Sequence, residues 1–177
     1  MEVEIKLVCR NLPALKKKLQ GLGATLTKSK RQVDTYYDHP AKVLVKEKQY
    51  LRLRKSGDKK TLAHHQNLAD GVNDECEMEM GKEARIEDFL ERLRFPKLGV
   101  IDKTREQYKI GDFNVCLDSV KDIGDLVEIE LEVEQGNEKE AKEKCWQMAK
   151  ELGFTAVDEF KVFLCDIAVG LVKRPGK

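Results

Sequence analysis

Carboxylates and cations recur at every second position in several stretches of this 177-residue chain. Glu2, Glu4 and Lys6 alternate with Val3, Ile5 and Leu7. Glu75, Glu77 and Glu79 flank Cys76 and Met78, and Glu128, Glu130, Glu132 and Glu134 alternate with Ile129, Leu131 and Val133. Basic sets are Arg52 and Arg54 beside Leu51 and Leu53, then Lys103 and Arg105 with Gln107; Cys116 and Asp118 lie opposite Val115 and Leu117. Strand residues i and i+2 point the same way, about 7 Å apart, so each stretch would show one charged face and one apolar face. An ordinary antiparallel sheet with a wet side does this too. A wet side has no need to sort acids and bases onto different strands, however, and like carboxylates this close repel unless a cation sits between them. Clustered carboxylates suit hard cations such as Mg²⁺ or Mn²⁺, and clustered Arg and Lys suit phosphate oxygens. The combination points to a metal-chelated polyphosphate.

Such sets need a sheet to bring them together. The alternation predicts strands over 2–9, 24–37, 100–109, 113–118 and 125–134, with "ECEMEM" a further one. "QYLRLRK" and "KTLAHHQ" flank Ser56-Gly57-Asp58, a hairpin signal, and "NLADGVND" reads as a polar loop. Asn11 and Pro13 open a helix with a stripe of Leu12, Leu15, Leu19 and Leu22. Ile86, Phe89, Leu90 and Leu93 have helical spacing before Pro96. An amphipathic helix is expected over 137–152 and a last apolar one over 159–171. "LGATLTKSKRQVDTYY" and "LGVIDKTREQYKIG" both follow a helix and run from Leu-Gly through a basic cluster to tyrosine. This echo fits an internal duplication or chance.

Composition limits the classes of function. Hydrophobic residues make up 41% of the chain, enough for one compact domain over 1–177. The 33 Lys and Arg nearly cancel the 32 Asp and Glu, so no overall field draws the chain to nucleic acid or an anionic membrane. With no signal-peptide pattern and no apolar run of bilayer length, a cytoplasmic protein is expected. The five cysteines are odd in number, scattered and free of CxxC pairs, which argues for packed thiols over disulfides or structural zinc.

"EVEIK" at 2–6 resembles the ExExK signature of the CYTH superfamily, the triphosphate tunnel metalloenzymes. "QVDTYYDHP", "LRLR", "EMEM", "DKTREQY", "LDSVKDIGDLVEIELE" and Lys161 follow in the order seen in the bacterial and archaeal class IV adenylyl cyclase branch. The resemblance covers essentially the whole chain. It implies an α+β fold: an eight-stranded antiparallel β-barrel with an open, charge-lined tunnel and helices packed outside. It also implies a small-molecule triphosphate as substrate, Mg²⁺ or Mn²⁺ as cofactor, and a homodimer as an expected assembly.

By the same resemblance, Glu2 and Glu4 match the motif carboxylates and join Glu128 and Glu130 as the metal set, with Asp118 added and Glu77 and Glu79 as supporting acids. Lys6, Arg52, Arg54, Lys103 and Arg105 match the phosphate-gripping bases, with Lys161 a further addition. Glu2, Glu4 and Lys6 form the catalytic motif. Lys28, Lys30, Arg31, Glu132 and Glu134 are expected on the surface. Two positions depart from the pattern: His65 stands where relatives usually carry a lysine, so a permanent cation is replaced by a group that is mostly neutral at pH 7, and Asp74 and Glu75 stand where a basic residue often precedes the ExE pair near 77. The expected activity is metal-dependent hydrolysis of inorganic or organic triphosphate. The alternatives are cyclisation of ATP to cyclic AMP and pyrophosphate, and a non-catalytic nucleotide or polyphosphate sensor.

Overall fold

A computed structural model describes residues 2–69, 72–162 and 164–171. Eight strands carry the architecture: β1 (Glu2–Val8), β2 (Thr25–Tyr37), β3 (Gln49–Ser56), β4 (Lys59–Ala69), β5 (Val72–Gly81), β6 (Lys97–Ile110), β7 (Phe113–Val120) and β8 (Gly124–Glu132). They form a closed antiparallel barrel in the order β1-β5-β4-β3-β2-β6-β7-β8. Among the described residues four α-helices lie outside or at one end: α1 (Leu12–Gly21), α2 (Ile86–Arg92), α3 (Glu138–Glu151) and α4 (Leu164–Ala168).

Alternation decides which side of the wall is wet. Val3, Ile5 and Leu7 of β1, Val115 and Leu117 of β7, and Val127 and Ile129 of β8 all point outward, where they are buried under α1 and α3. Leu15 and Leu19 of α1 and Cys145 and Ala149 of α3 complete this core. Asn11 Oδ1 accepts the Ala14 N–H, fixing the start of α1 with Pro13 in its first turn. On the far side α2 sets Leu90 against Tyr37 and Leu53. The main hydrophobic core therefore lies between wall and helices, and the lumen is left to the charged residues.

Toward one end the inner face changes character. Tyr36, Tyr50, Ile101, Val120 and Leu126 each lie two residues beyond a charged lumen position, hence on the same face. They pack with Leu164, Ile167 and Ala168. Helix α4 thus sets an apolar plug against this end of the lumen. Close approach sets the plug: a Cβ on Gly99 would lie 1.8 Å from the Ala168 carbonyl oxygen. The Tyr50 hydroxyl also donates to Asp166.

Two segments differ from the sequence reading. The expected helix over 159–171 shrinks to α4, because 159–160 have another task. β1 pairs with β5 only at Glu2–Asn73 and Val3–Val72, which leaves the rest of that edge of β1 without a strand partner. Glu159 bridges Leu7, and the Phe160 N–H donates to the Lys6 carbonyl at 2.7 Å, satisfying backbone groups that would otherwise be unpaired. Most of the expected loop 67–74 is strand instead: Gln66–Asp74 and Asn67–Asn73 are register pairs, with an irregularity before Ala69–Val72. Ladder pairing outweighs the polar composition there; Asp70 and Gly71 lie outside the described residues.

The two echoing segments are β2 and β6, which pair with each other over most of their length. Exchanging β1 with β5, β2 with β6, β3 with β7 and β4 with β8 reproduces the barrel order. The registers obey the same exchange. If Glu2 swaps with Asn73 and Gln32 with Lys103, the facing pair Asp34–Arg54 falls on Arg105–Asp118, and Glu4–Glu130 falls on Glu75–His65. Two β-α-β-β-β halves related in this way favour duplication over chance as the origin of the echo.

Candidate active site

The lumen encloses a cavity of about 430 Å³. Along one side the β1–β8 register sets Glu4 directly opposite Glu130, with Glu2 two residues away on the same face. One carboxylate oxygen from each of these three residues lies within 4.8 Å of the others. Burial and the charges of Glu4, Glu128 and Glu75 push the Glu2 carboxyl up to about 7. Burial, with Glu128, Glu2 and Glu4 close by, pushes Glu130 up to about 8 despite Arg105. Three carboxylates forced together in this way are short of positive charge. They offer a hard, all-oxygen donor set that suits Mg²⁺ or Mn²⁺, so the residues fit the metal that the family implies.

Glu128, expected in the same set, is engaged elsewhere. Lys6 Nζ lies 2.9 Å from it and Arg105 also contacts it. Burial alone would raise its pKa, but Arg105, Lys6 and Lys103 outweigh that and hold it well below the usual range. Asp118 is fully buried on the inner face, opposite Arg105 in register, and does not itself line the cavity. It accepts Lys103 Nζ at 2.7 Å and both prongs of Arg105, at 2.7 and 2.5 Å. The arrangement makes Asp118 a holder of two bases, where a metal ligand is expected from sequence.

The bases form the facing side. Arg54 donates to Asp34 through two 2.7 Å bonds; burial would raise Asp34, but Arg54 wins and holds it at about 2. Arg52 reaches Glu75 at 2.5 Å and Glu77 at 2.9 Å. His65 lines the cavity, its Nε2 2.6 Å from Glu75 Oε1 but not aligned for a hydrogen bond. Burial, then Arg52 and Arg54, lower its pKa in spite of Glu75. Its neighbour His64 faces away and meets Gln49 at 2.9 Å.

Two expected members lie apart. The Lys161 side chain is 77% exposed and nearest Glu159, and Glu79 is exposed on Lys59. Neither lines the cavity. Lys28, expected on the surface, does line it, while Arg31 stays outside on Asp102. The sequence reading passed over Asp34, Tyr36 and Tyr50. Their signal is positional: once β2 and β3 are registered, Asp34 faces Arg54, and the tyrosines continue the same inward rows.

Comparison with known proteins agrees with this architecture. The CYTH domain model matches residues 1–164. The chain is 25% identical over 143 residues, 79% of its length and 82% of the relative's, to "Putative adenylate cyclase MJ0240" of Methanocaldococcus jannaschii. The solved structure of the PH1012 protein from Pyrococcus horikoshii OT3 is similar at 29% identity, with a TM-score of 0.83 over 95% of this chain and 99% of that one. A more distant fold neighbour is "Putative adenylyl cyclase HpAC1" of Hippeastrum, described with a dominant triphosphatase activity. It is 20% identical, with a TM-score of 0.68 over 94% of each chain. The chain belongs to the CYTH domain family. Among the described residues no helix is long and apolar enough to cross a membrane.

Proposed function

We propose that this protein hydrolyses a triphosphate with the help of Mg²⁺ or Mn²⁺. The observation that carries the proposal is the meeting, in one cavity, of the Glu2–Glu4–Glu130 cluster with bases from three strands: Lys6, Arg52, Arg54, Lys103 and Arg105. A divalent ion held by the three carboxylates would neutralise phosphate charge and make the phosphorus more electrophilic. Arg54, Lys103 and Arg105, each fixed by an aspartate, supply donors aimed before substrate arrives, which is how developing charge on leaving oxygens is stabilised without reorganisation. Lys6, poised between Glu4 and Glu128, keeps a positive charge next to the acid cluster. Burial would lower its pKa, but the two glutamates outweigh that and raise it, so it acts as a cation and not as a base.

A second reading, cyclisation of ATP, draws support from the class IV pattern of the motifs and from the name of the archaeal relative. It needs the ribose hydroxyl at the α-phosphorus, whereas hydrolysis needs only the phosphate chain that the charged lining suits. Incubation with tripolyphosphate, thiamine triphosphate or ATP plus each metal, followed by assay of phosphate, pyrophosphate and cyclic AMP, separates the two. Phosphate release supports hydrolysis, cyclic AMP overturns it in favour of cyclisation, and binding without turnover leaves a sensor.

A further inference from the structure

The bases of the cavity are not held equally. Arg54 rests on Asp34, whose side chain is 3% exposed, and Lys103 and Arg105 rest on the fully buried Asp118. Arg52 is held by Glu75 and Glu77, which are 28% and 47% exposed, and its own Nε is buried without a partner. The guanidinium with the loosest partners and an unsatisfied donor is the one an incoming phosphate can take most readily. Its departure would strip Glu75 and Glu77 of their shared cation. His65 Nε2, already 2.6 Å from Glu75 and itself without a hydrogen-bond partner, is the group placed to replace it.

Building on the triphosphate reading of this cavity, we propose that His65 takes up a proton from solvent when an anion draws Arg52 off Glu75 and Glu77, so that binding is proton-coupled. The groups around the imidazole agree in direction. From β3, Arg52 and Arg54 disfavour its charged form and Tyr50 faces it in register. From β5, Glu75 favours the charged form, with Glu77 hydrogen-bonded to Glu75 beside it, and Glu2 of β1 adds negative potential near Glu75. In the free protein burial and the arginines keep His65 neutral at pH 7. Neutralising Arg52 with phosphate removes one repulsion and exposes two carboxylates, and both changes raise the affinity of His65 for a proton.

The test is calorimetric titration with tripolyphosphate, in EDTA and at pH 7.5, in two buffers of different ionisation enthalpy. Wild type should take up more protons on binding than His65→Gln, by on the order of one per site. His65→Lys, which restores an ammonium at this position, should take up no more protons than His65→Gln, and its affinity should fall no further from pH 7 to 8.5 than that of His65→Gln. Wild-type affinity should fall over that range by up to about tenfold per pH unit beyond any fall in His65→Gln. Equal uptake in wild type and both variants overturns this inference alone. Failure of wild type to bind tripolyphosphate overturns the phosphate reading of the cavity and this inference with it.

Discussion

Asp118 accepts Lys103 at 2.7 Å while both prongs of Arg105 rest on its two oxygens. One carboxylate with no solvent exposure thus fixes two cations that face the cavity. Asp118→Asn removes the charge and leaves two bases buried against a neutral amide. Breaking a buried ion pair from one side costs about 3 kcal/mol or more, and a fall of that size in urea-unfolding free energy is expected. Divalent-ion affinity, read by Mn²⁺ binding, should change far less than in Glu4→Gln. An equal loss in both would return Asp118 to the metal set.

Glu4 faces Glu130 in register and lies at the centre of the acid cluster. Glu4→Gln keeps its volume and, on the metal reading, should lower metal-dependent turnover at least ~100-fold, the scale of losing one preorganised electrostatic group. Thermal unfolding should stay near wild type. Wild-type rates in this variant would contradict the assignment.

The acid cluster also sets a pH dependence. Glu2 at about 7 and Glu130 at about 8 lie above the ordinary 4.5, so the folded protein holds these protons more tightly than the unfolded chain. Stability from this source is therefore present at low pH and lost as pH rises through 7 and 8. The metal-free Tm should be lower at pH 8.5 than at pH 6. Excess Mn²⁺ should raise Tm more at pH 8.5, where the carboxylates no longer have to release protons. A metal-independent Tm at both values would count against the cluster as a metal site.

At the plugged end Gly99→Ala puts a methyl into the Ala168 carbonyl. Overpacking of this kind costs about 1–3 kcal/mol, and the strain can be relieved by moving α4. Faster proteolysis at the α4 end, with the rest of the barrel still protected, is the expected readout. Protection unchanged along the whole chain would mean that α4 does not depend on that contact.

Much of this was legible in the sequence because the barrel is wet inside and dry outside. Val3, Ile5 and Leu7 announce one face and Glu2, Glu4 and Lys6 the other, so the strands and the charged lining could both be read. The difference between Glu128 and Glu130 could not. Both sit on the inner face of β8, and only the register that places Lys6 opposite Glu128, with Arg105 in reach, diverts one of them from the acid cluster. Nor could the place of Asp118 be read: its depth and its hold on Lys103 and Arg105 follow from the register of β6 and β7. The end of the chain failed differently. Apolar residues over 159–171 satisfy a helix pattern, but the unpaired edge of β1 claims Glu159 and Phe160 first.

The thin seam between β1 and β5 also bears on how the molecule is made. Seven successive residues of β1, from Glu2 to Val8, pair with Glu132 to Leu126 of β8, while its other edge meets β5 only at Glu2 and Val3 and is continued by Glu159 and Phe160. β1 thus depends for its pairing on residues far along the chain, and contacts of such sequence separation are slow to form. Glu2 and Glu4 meet Glu130 only through that pairing. A nascent or truncated chain that stops short of β8 can form hairpins but cannot concentrate the three carboxylates, so the acid cluster exists only once β8 has joined β1.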